Sequence, residues 1–397
     1  MNAVPQLRFP GFEGPWRPAR AGDAFRSRRA RGEAGLPIYS VTLDRGMVPR
    51  DSLERRMDAD AADGANLRAM PGDLVYNMMR MWQGAVGLSA VECMVSPAYV
   101  VLDPKDGISA PFFDQWFKND RMRHLLGAYS HGITSDRLRL YFDDFARIPI
   151  NLPTLAEQDK IATALQLVDQ KIEALRRKKD GLSAFKSALM EKLFSQQLRL
   201  RRKDGSAYPD WEIRKLSQVC SKPEYGLNRS AVPYDGKRGY LRITDIDEES
   251  RRFKASDITS PEGDVDSSYR MEIGDIAFAR TGAGTGRSYL YVAEDGELYF
   301  AGFLIRFRVI EGVPLFIYQQ TLTERFRDHV RIMSARSGQP GMNADEFGLF
   351  SIDFPSIEEQ LAISWLLDSM DARVAMTSKK IELMTEFRQG LVQQLFV

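Results

Sequence analysis

The residue types that usually carry catalysis are present in this chain, but none stands at a working spacing. His124, His131 and His329 form no metal-ligand pattern and lie beside no serine or cysteine that one of them would activate. Cys93 and Cys220 support neither a disulfide framework nor a zinc site. Gly282, Gly284 and Gly286 in RTGAGTGRS imitate a phosphate loop, yet three residues rather than four separate Gly282 from Gly286, and Arg287 replaces the required lysine. Pro209-Asp210 followed by Asp235-Gly236-Lys237 imitates a nuclease motif, but the first pair belongs to a repeated segment described below. A fused DNA methyltransferase or nuclease would need a cofactor-binding glycine motif and an NPPY-like or DPPF-like tetrapeptide, and neither occurs.

The chemistry that remains is recognition. The glycine-rich run lies between strand-like IAFAR and SYLYV, where it permits a tight turn bringing backbone amides, Arg280 and Arg287 close to a ligand. This is read as a DNA-facing hairpin; an ordinary tight turn is the competing reading. The corresponding stretch in the first half is MMRMWQGAVG, Met78 to Gly87, with Arg80 and Gln83. One scaffold with different side chains suits the reading of different base sequences.

The elements that would position these residues occur twice. Pro153 to Phe194 aligns without a gap on Pro355 to Phe396 at an offset of 202 residues, with eleven identical pairs. Each copy opens on a proline and a capping-box pattern, Thr154 with Glu157 and Ser356 with Glu359, which predicts a helix start. Apolar residues then recur at alternating steps of four and three: Ile161, Leu165, Val168, Ile172, Leu175, Leu182, Leu189 and Leu193, answered by Ile363, Leu367, Met370, Val374, Ile381, Met384, Leu391 and Leu395. Such a seam predicts coiled coil, with each helix roughly 60 Å long at about 1.5 Å per residue. Lys179 and Lys186 interrupt it and set register. Thr154 to Gln196 carries eight Lys/Arg against six Asp/Glu, and Ser356 to Phe396 four against six, so opposite charge favours pairing the helices with each other. The chain returns to the helix only after a whole intervening domain, which predicts an antiparallel pair; separate dimerisation arms are the alternative.

Fainter repeats extend the unit. FPGFEGPW matches KDGSAYPDW, PGDLVYNM matches IGDIAFAR at offset 202, and Asp143, Asp144 and Phe145 match Asp345, Glu346 and Phe347. The expected fold class is α+β with a pseudo-twofold internal repeat: residues 1–153, a first helix 154–196, a linker 197–209, residues 210–354 and a second helix 355–397.

The net charge of +1 does not announce a nucleic-acid partner, but basic residues cluster at Arg26, Arg28, Arg29 and Arg31, at Arg176 to Lys179, and at Arg199, Arg201, Arg202 and Lys203. These are read as one face of a bipolar surface or, equally, as solvated faces. No apolar run approaches membrane-spanning length and the N-terminus has no signal-peptide hydrophobic region, so no membrane and a cytoplasmic location are expected.

At LRFPGFEGPW, LPTLAEQDKIA, FPSIEEQLAIS, ALMEKLF and GLVQQLF the chain resembles the specificity subunits of type I restriction-modification systems. The resemblance implies two globular α/β target recognition domains separated by two long helices in an antiparallel coiled coil, with no active site in the chain. It further implies double-stranded DNA as ligand, two methylase subunits docked on the helices, and restriction motor subunits joined through the assembled complex. S-adenosylmethionine, ATP and Mg would be used by those partners, leaving this chain without a cofactor or metal. The helix residues carried over as spacer and docking positions are Glu157, Gln158, Ile161, Leu165, Ile172, Phe185, Leu189, Glu359, Gln360, Ile363, Leu367, Val374, Phe387 and Leu391. No base-contacting residue transfers by motif. Side-chain chemistry selects Arg80, Gln83, His131, Thr134 and Arg137 in the first module, and Arg238, Arg280, Thr281, Arg287, Arg336 and Gln339 in the second. A scaffold that never touches DNA is the remaining alternative.

Overall fold

Proline before a capped, heptad-patterned run does produce two long helices, Leu155–Phe194 and Ile357–Leu395, in the computed structural model, which describes residues 4–53, 65–134, 137–335 and 339–397. The chain divides into two compact units, Met1–Arg177 with Thr377–Val397, and Lys178–Met376. Each unit therefore combines a globular module with half of each long helix.

The modules repeat one sheet. In unit 1 strands Phe25–Arg28, Tyr99–Pro104, Leu74–Asn77 and Val86–Leu88 lie side by side in that order, all antiparallel. Unit 2 uses Glu224–Tyr225, Leu304–Arg308, Asp275–Ala279 and Ser288–Leu290 in the same order. The repeat holds in register, since Leu74 faces Leu88 and Ile276 faces Leu290. Its repeated Gly-Asp step has a physical reason. The Asp73 and Asp275 side chains are both buried, where a carboxylate must be paired. Arg28 Nε reaches Asp73 at 2.8 Å, and Arg308 Nε reaches Asp275 at 2.8 Å from a different strand of the sheet. Each carboxylate also accepts a turn amide, from Met70 and Glu272.

The helix starts depart from a full capping box. Thr154 Oγ1 and Ser356 Oγ accept the amides of Glu157 and Glu359, but the two carboxylates turn inward. Glu157 takes Arg8 Nε and Nη2 at 2.8 Å and Trp16 Nε1 at 3.2 Å. Glu359 takes Arg199 Nε and Nη2 at 3.0 Å and Trp211 Nε1 at 2.8 Å. The repeated segment ending in Trp16 and Trp211 is thus tied to the repeated helix start, in each unit separately. The adjoining Gln158 and Gln360 accept amides of Ser109 and Val313 at 2.8 Å.

Opposite helix ends plug the modules. Phe396 packs against Phe112 and stacks on Trp116 in unit 1, and Phe194 packs against Phe316 in unit 2. Within unit 1 Arg388 pairs with Asp169, and within unit 2 Lys186 pairs with Asp371. The numbers run oppositely along the two helices, so the pairing is antiparallel, and the two ion pairs are the same contact repeated at an offset of 202.

Candidate nucleic-acid interface

Both units present a hairpin tip tied to the segment that precedes the long helix. In unit 2 the strands Asp275–Ala279 and Ser288–Leu290 are joined by residues 280–287, with one 3-10 turn at Gly282–Gly284. The Met342 amide donates to Arg280 O at 2.8 Å, and the Gly282 amide to Pro340 O at 3.0 Å. In unit 1 the Leu140 amide donates to Met78 O at 2.9 Å, which is the same bond moved by 202 residues.

This arrangement gathers Arg280, Thr281 and Gln339 on one surface of unit 2. Gly282 has φ +75, a backbone that favours glycine, and a Cβ there would stand 3.0 Å from Gln339 Nε2. Arg238 and Arg287 are not part of it. The Arg287 guanidinium points inward to Ile246 O at 3.1 Å and to the Glu248 carboxylate. Arg238 Nε pairs with Asp235 at 2.7 Å and Nη1 with Gly263 O at 3.0 Å. The amide and side chain of Arg238, with the Lys237 amide, hold the Asp235 carboxyl well below its usual range. Arg336 lies outside the described residues.

In unit 1 exposed Arg80 precedes the 3-10 turn Met81–Gln83, which packs on helix Asp120–Ala128. Gln83 lines an open depression of about 610 Å³ with Leu43, Trp82, Asp120, Arg123 and His124. His131, Thr134 and Arg137 are exposed on a neighbouring loop, closed by backbone bonds between His131 and Arg139 at 2.9 Å. His131 Nε2 lies 3.3 Å from Asp144, so this histidine has an intramolecular partner. Sequence reasoning passed over Trp82 in unit 1 and Tyr225 and Phe303 in unit 2, and it weighed His124 only as a metal ligand or catalytic base. Trp82 alone carried a signal, as a large aromatic inside a polar turn.

The basic clusters are less available than their sequence suggests. Arg26 and Arg28 bind Asp103, Arg199 binds Glu359, Arg202 binds Glu358, and Lys179 binds Glu249.

The helix residues separate into two sets. Glu157, Gln158, Glu359 and Gln360 are at most 1% exposed, so they hold the fold and offer nothing to a partner. Ile161, Leu165, Ile172, Ile363 and Leu367 are buried, and Leu189, Val374 and Leu391 are half-buried. Phe185 and Phe387, at equivalent positions, are 58% and 54% exposed. Among the described residues no cluster of His, Cys, Asp or Glu can hold a metal, and no helix is long and apolar enough to cross a membrane.

Residues 35–184 match the type I restriction modification DNA specificity domain. Over that segment the chain is similar to type I specificity subunits, and its curated relatives carry that name. It is 22% identical over 326 residues to the StySPI specificity subunit of Salmonella potsdam, covering 78% of this chain and 70% of that one. It is 24% identical over 188 residues to the MjaIX specificity subunit of Methanocaldococcus jannaschii, covering 44% of this chain and 42% of that protein's length. The fold is similar over 99% of both chains to the type I S subunit from M. genitalium, with TM-score 0.58 and 16% identity. The HsdS subunit from Thermoanaerobacter tengcongensis aligns over 98% of both chains with TM-score 0.50 and 14% identity.

Proposed function

We propose that this chain is the DNA sequence-specificity subunit of a type I restriction-modification complex, each module reading one half of a bipartite, asymmetric DNA target. The long helices set the gap between the halves and dock two methylase subunits. Adenine methylation with S-adenosylmethionine, and cleavage with ATP and Mg, would belong to the methylase and restriction motor partners.

One observation carries the reading. The two units share sheet order, register, buried aspartate and hairpin anchor, yet present different side chains at the tip, with Met78 in unit 1 where Arg280 stands in unit 2. A common frame with divergent tips suits base reading, where donor and acceptor pattern must differ while the approach stays the same. Paired exposure of Phe185 and Phe387 supports docking of two copies of one partner.

A genome-wide map of methylated adenines, in cells with and without the chain and expressing its methylase, tests this. Loss of one split motif with a fixed unspecified gap is expected. Unchanged methylation would contradict the specificity role and leave the scaffold reading.

A further inference from the structure

Arg280 differs from the arginines around it in how its donors are used. Nε donates to Gly302 O at 3.0 Å, and the guanidinium lies over the Tyr225 ring, 5.2 Å from its centroid. Among the described residues neither terminal nitrogen has a hydrogen-bond or ion-pair partner. Both supporting groups are themselves held by hydrogen bonds. The Tyr225 hydroxyl accepts the Ala344 amide at 3.2 Å, and its strand pairs with Ile305. Gly302 is itself tied to neighbouring backbone, its amide donating to Leu227 O at 2.6 Å, and a Cβ there would lie 3.1 Å from that oxygen. Arg280 N donates to Phe303 O at 3.0 Å, and the Phe303 side chain is 60% exposed beside it.

Stacking and the Nε bond remove most of the rotamer freedom of this side chain before any ligand arrives, leaving a planar two-donor fork. A mobile cation serves a phosphate equally well. A fixed fork favours a planar, directional double acceptor, which on a base edge is guanine O6 with N7.

Resting on the DNA-specificity reading above, we propose that Arg280 reads one guanine in the half-site recognised by unit 2, with Tyr225 and Gly302 as its positioning residues. Unit 1 has Met78 at the equivalent place and makes no counterpart of this contact.

The experiment uses the full chain assembled with its methylase subunits, acting on a plasmid library randomised in both half-sites. The wild-type complex should require guanine at one position of one half. Arg280→Ala should reduce the preference at that position by roughly tenfold to a hundredfold, leaving other positions unchanged. Arg280→Lys should lose most of it too, since an ammonium cannot fork. Tyr225→Leu should weaken the same position while Tyr225→Phe keeps it, because the ring does the stacking. Equal thermal midpoints and methylase co-purification would show that the variants fold. A uniform fall in methylation across all sequences would make Arg280 a phosphate contact and overturn the proposal, as would unchanged preference at every position. A wild-type complex with no sequence preference would remove the specificity reading itself, an outcome distinct from failure of Arg280 alone.

Discussion

Replacing Glu359 by alanine should destabilise unit 2 without touching any outward surface. The carboxylate is 0% exposed and accepts three hydrogen bonds, two from Arg199 and one from Trp211 Nε1. Alanine leaves the Arg199 guanidinium with Pro209 O at 2.9 Å as its remaining acceptor and the Trp211 indole N–H with none. Breaking a buried pair costs about 3–5 kcal/mol, and because the Arg199 side chain keeps 27% of its surface, the lower end applies, about 3 kcal/mol. For a unit of this size that corresponds to a midpoint about 6–12 °C lower. Hydrogen exchange of the strand Asp275–Ala279 during heating reports the transition of unit 2. Glu359→Gln keeps the shape and should cost about half as much, and adding Arg199→Met to Glu359→Ala should recover part of the loss. If Glu359→Ala kept its midpoint and lost methylase binding instead, the residue would be a docking contact and the reasoning would fail.

Phe396→Ala empties a place between Phe112 and Trp116 and should cost unit 1 about 3–5 kcal/mol in chemical denaturation; an unchanged midpoint would mean the helix end does not support the core. Asp371→Lys opposes two cations at the Lys186 contact and should destabilise by about 1 kcal/mol, with Lys186→Asp in the same chain restoring the pair. Burial, helped by Asp275, pushes the Cys220 thiol from 9.0 up to about 12. The unfolded chain releases that proton first, so stability should decline as pH rises from about 9 toward 12, and Cys220→Ala should flatten that part of the urea-midpoint curve. A Cys220 titrated by a thiol reagent at pH 8 without denaturant would contradict its burial.

The helices and their antiparallel pairing were legible because a heptad seam, its charge balance and its exact repeat are local or periodic signals. The partners of Glu157 and Glu359 were not. A capping-box pattern reads the same whichever donor the carboxylate finally takes, and Arg8 and Arg199 lie 149 and 160 residues away in sequence. The same blindness misplaced Arg238 and Arg287. Their charge is visible in sequence, whereas the Asp235 and Glu248 carboxylates that occupy them are recognised only once the loops fold. Arg280 was visible as a candidate for its type, but Tyr225, which gives it a direction, comes from another strand.

The central claim is that one chain carries two readers held at a set distance, and lengthening the spacer tests it most directly. Because Asp169 meets Arg388 and Lys186 meets Asp371, a heptad inserted after Arg177 is matched by one inserted after Lys379. Seven added residues in each helix extend the pair by roughly 10 Å, about three base pairs. Mapping methylated adenines with this variant should return the same two half-sites with a gap about three base pairs longer. The same half-sites at an unchanged gap would contradict the account.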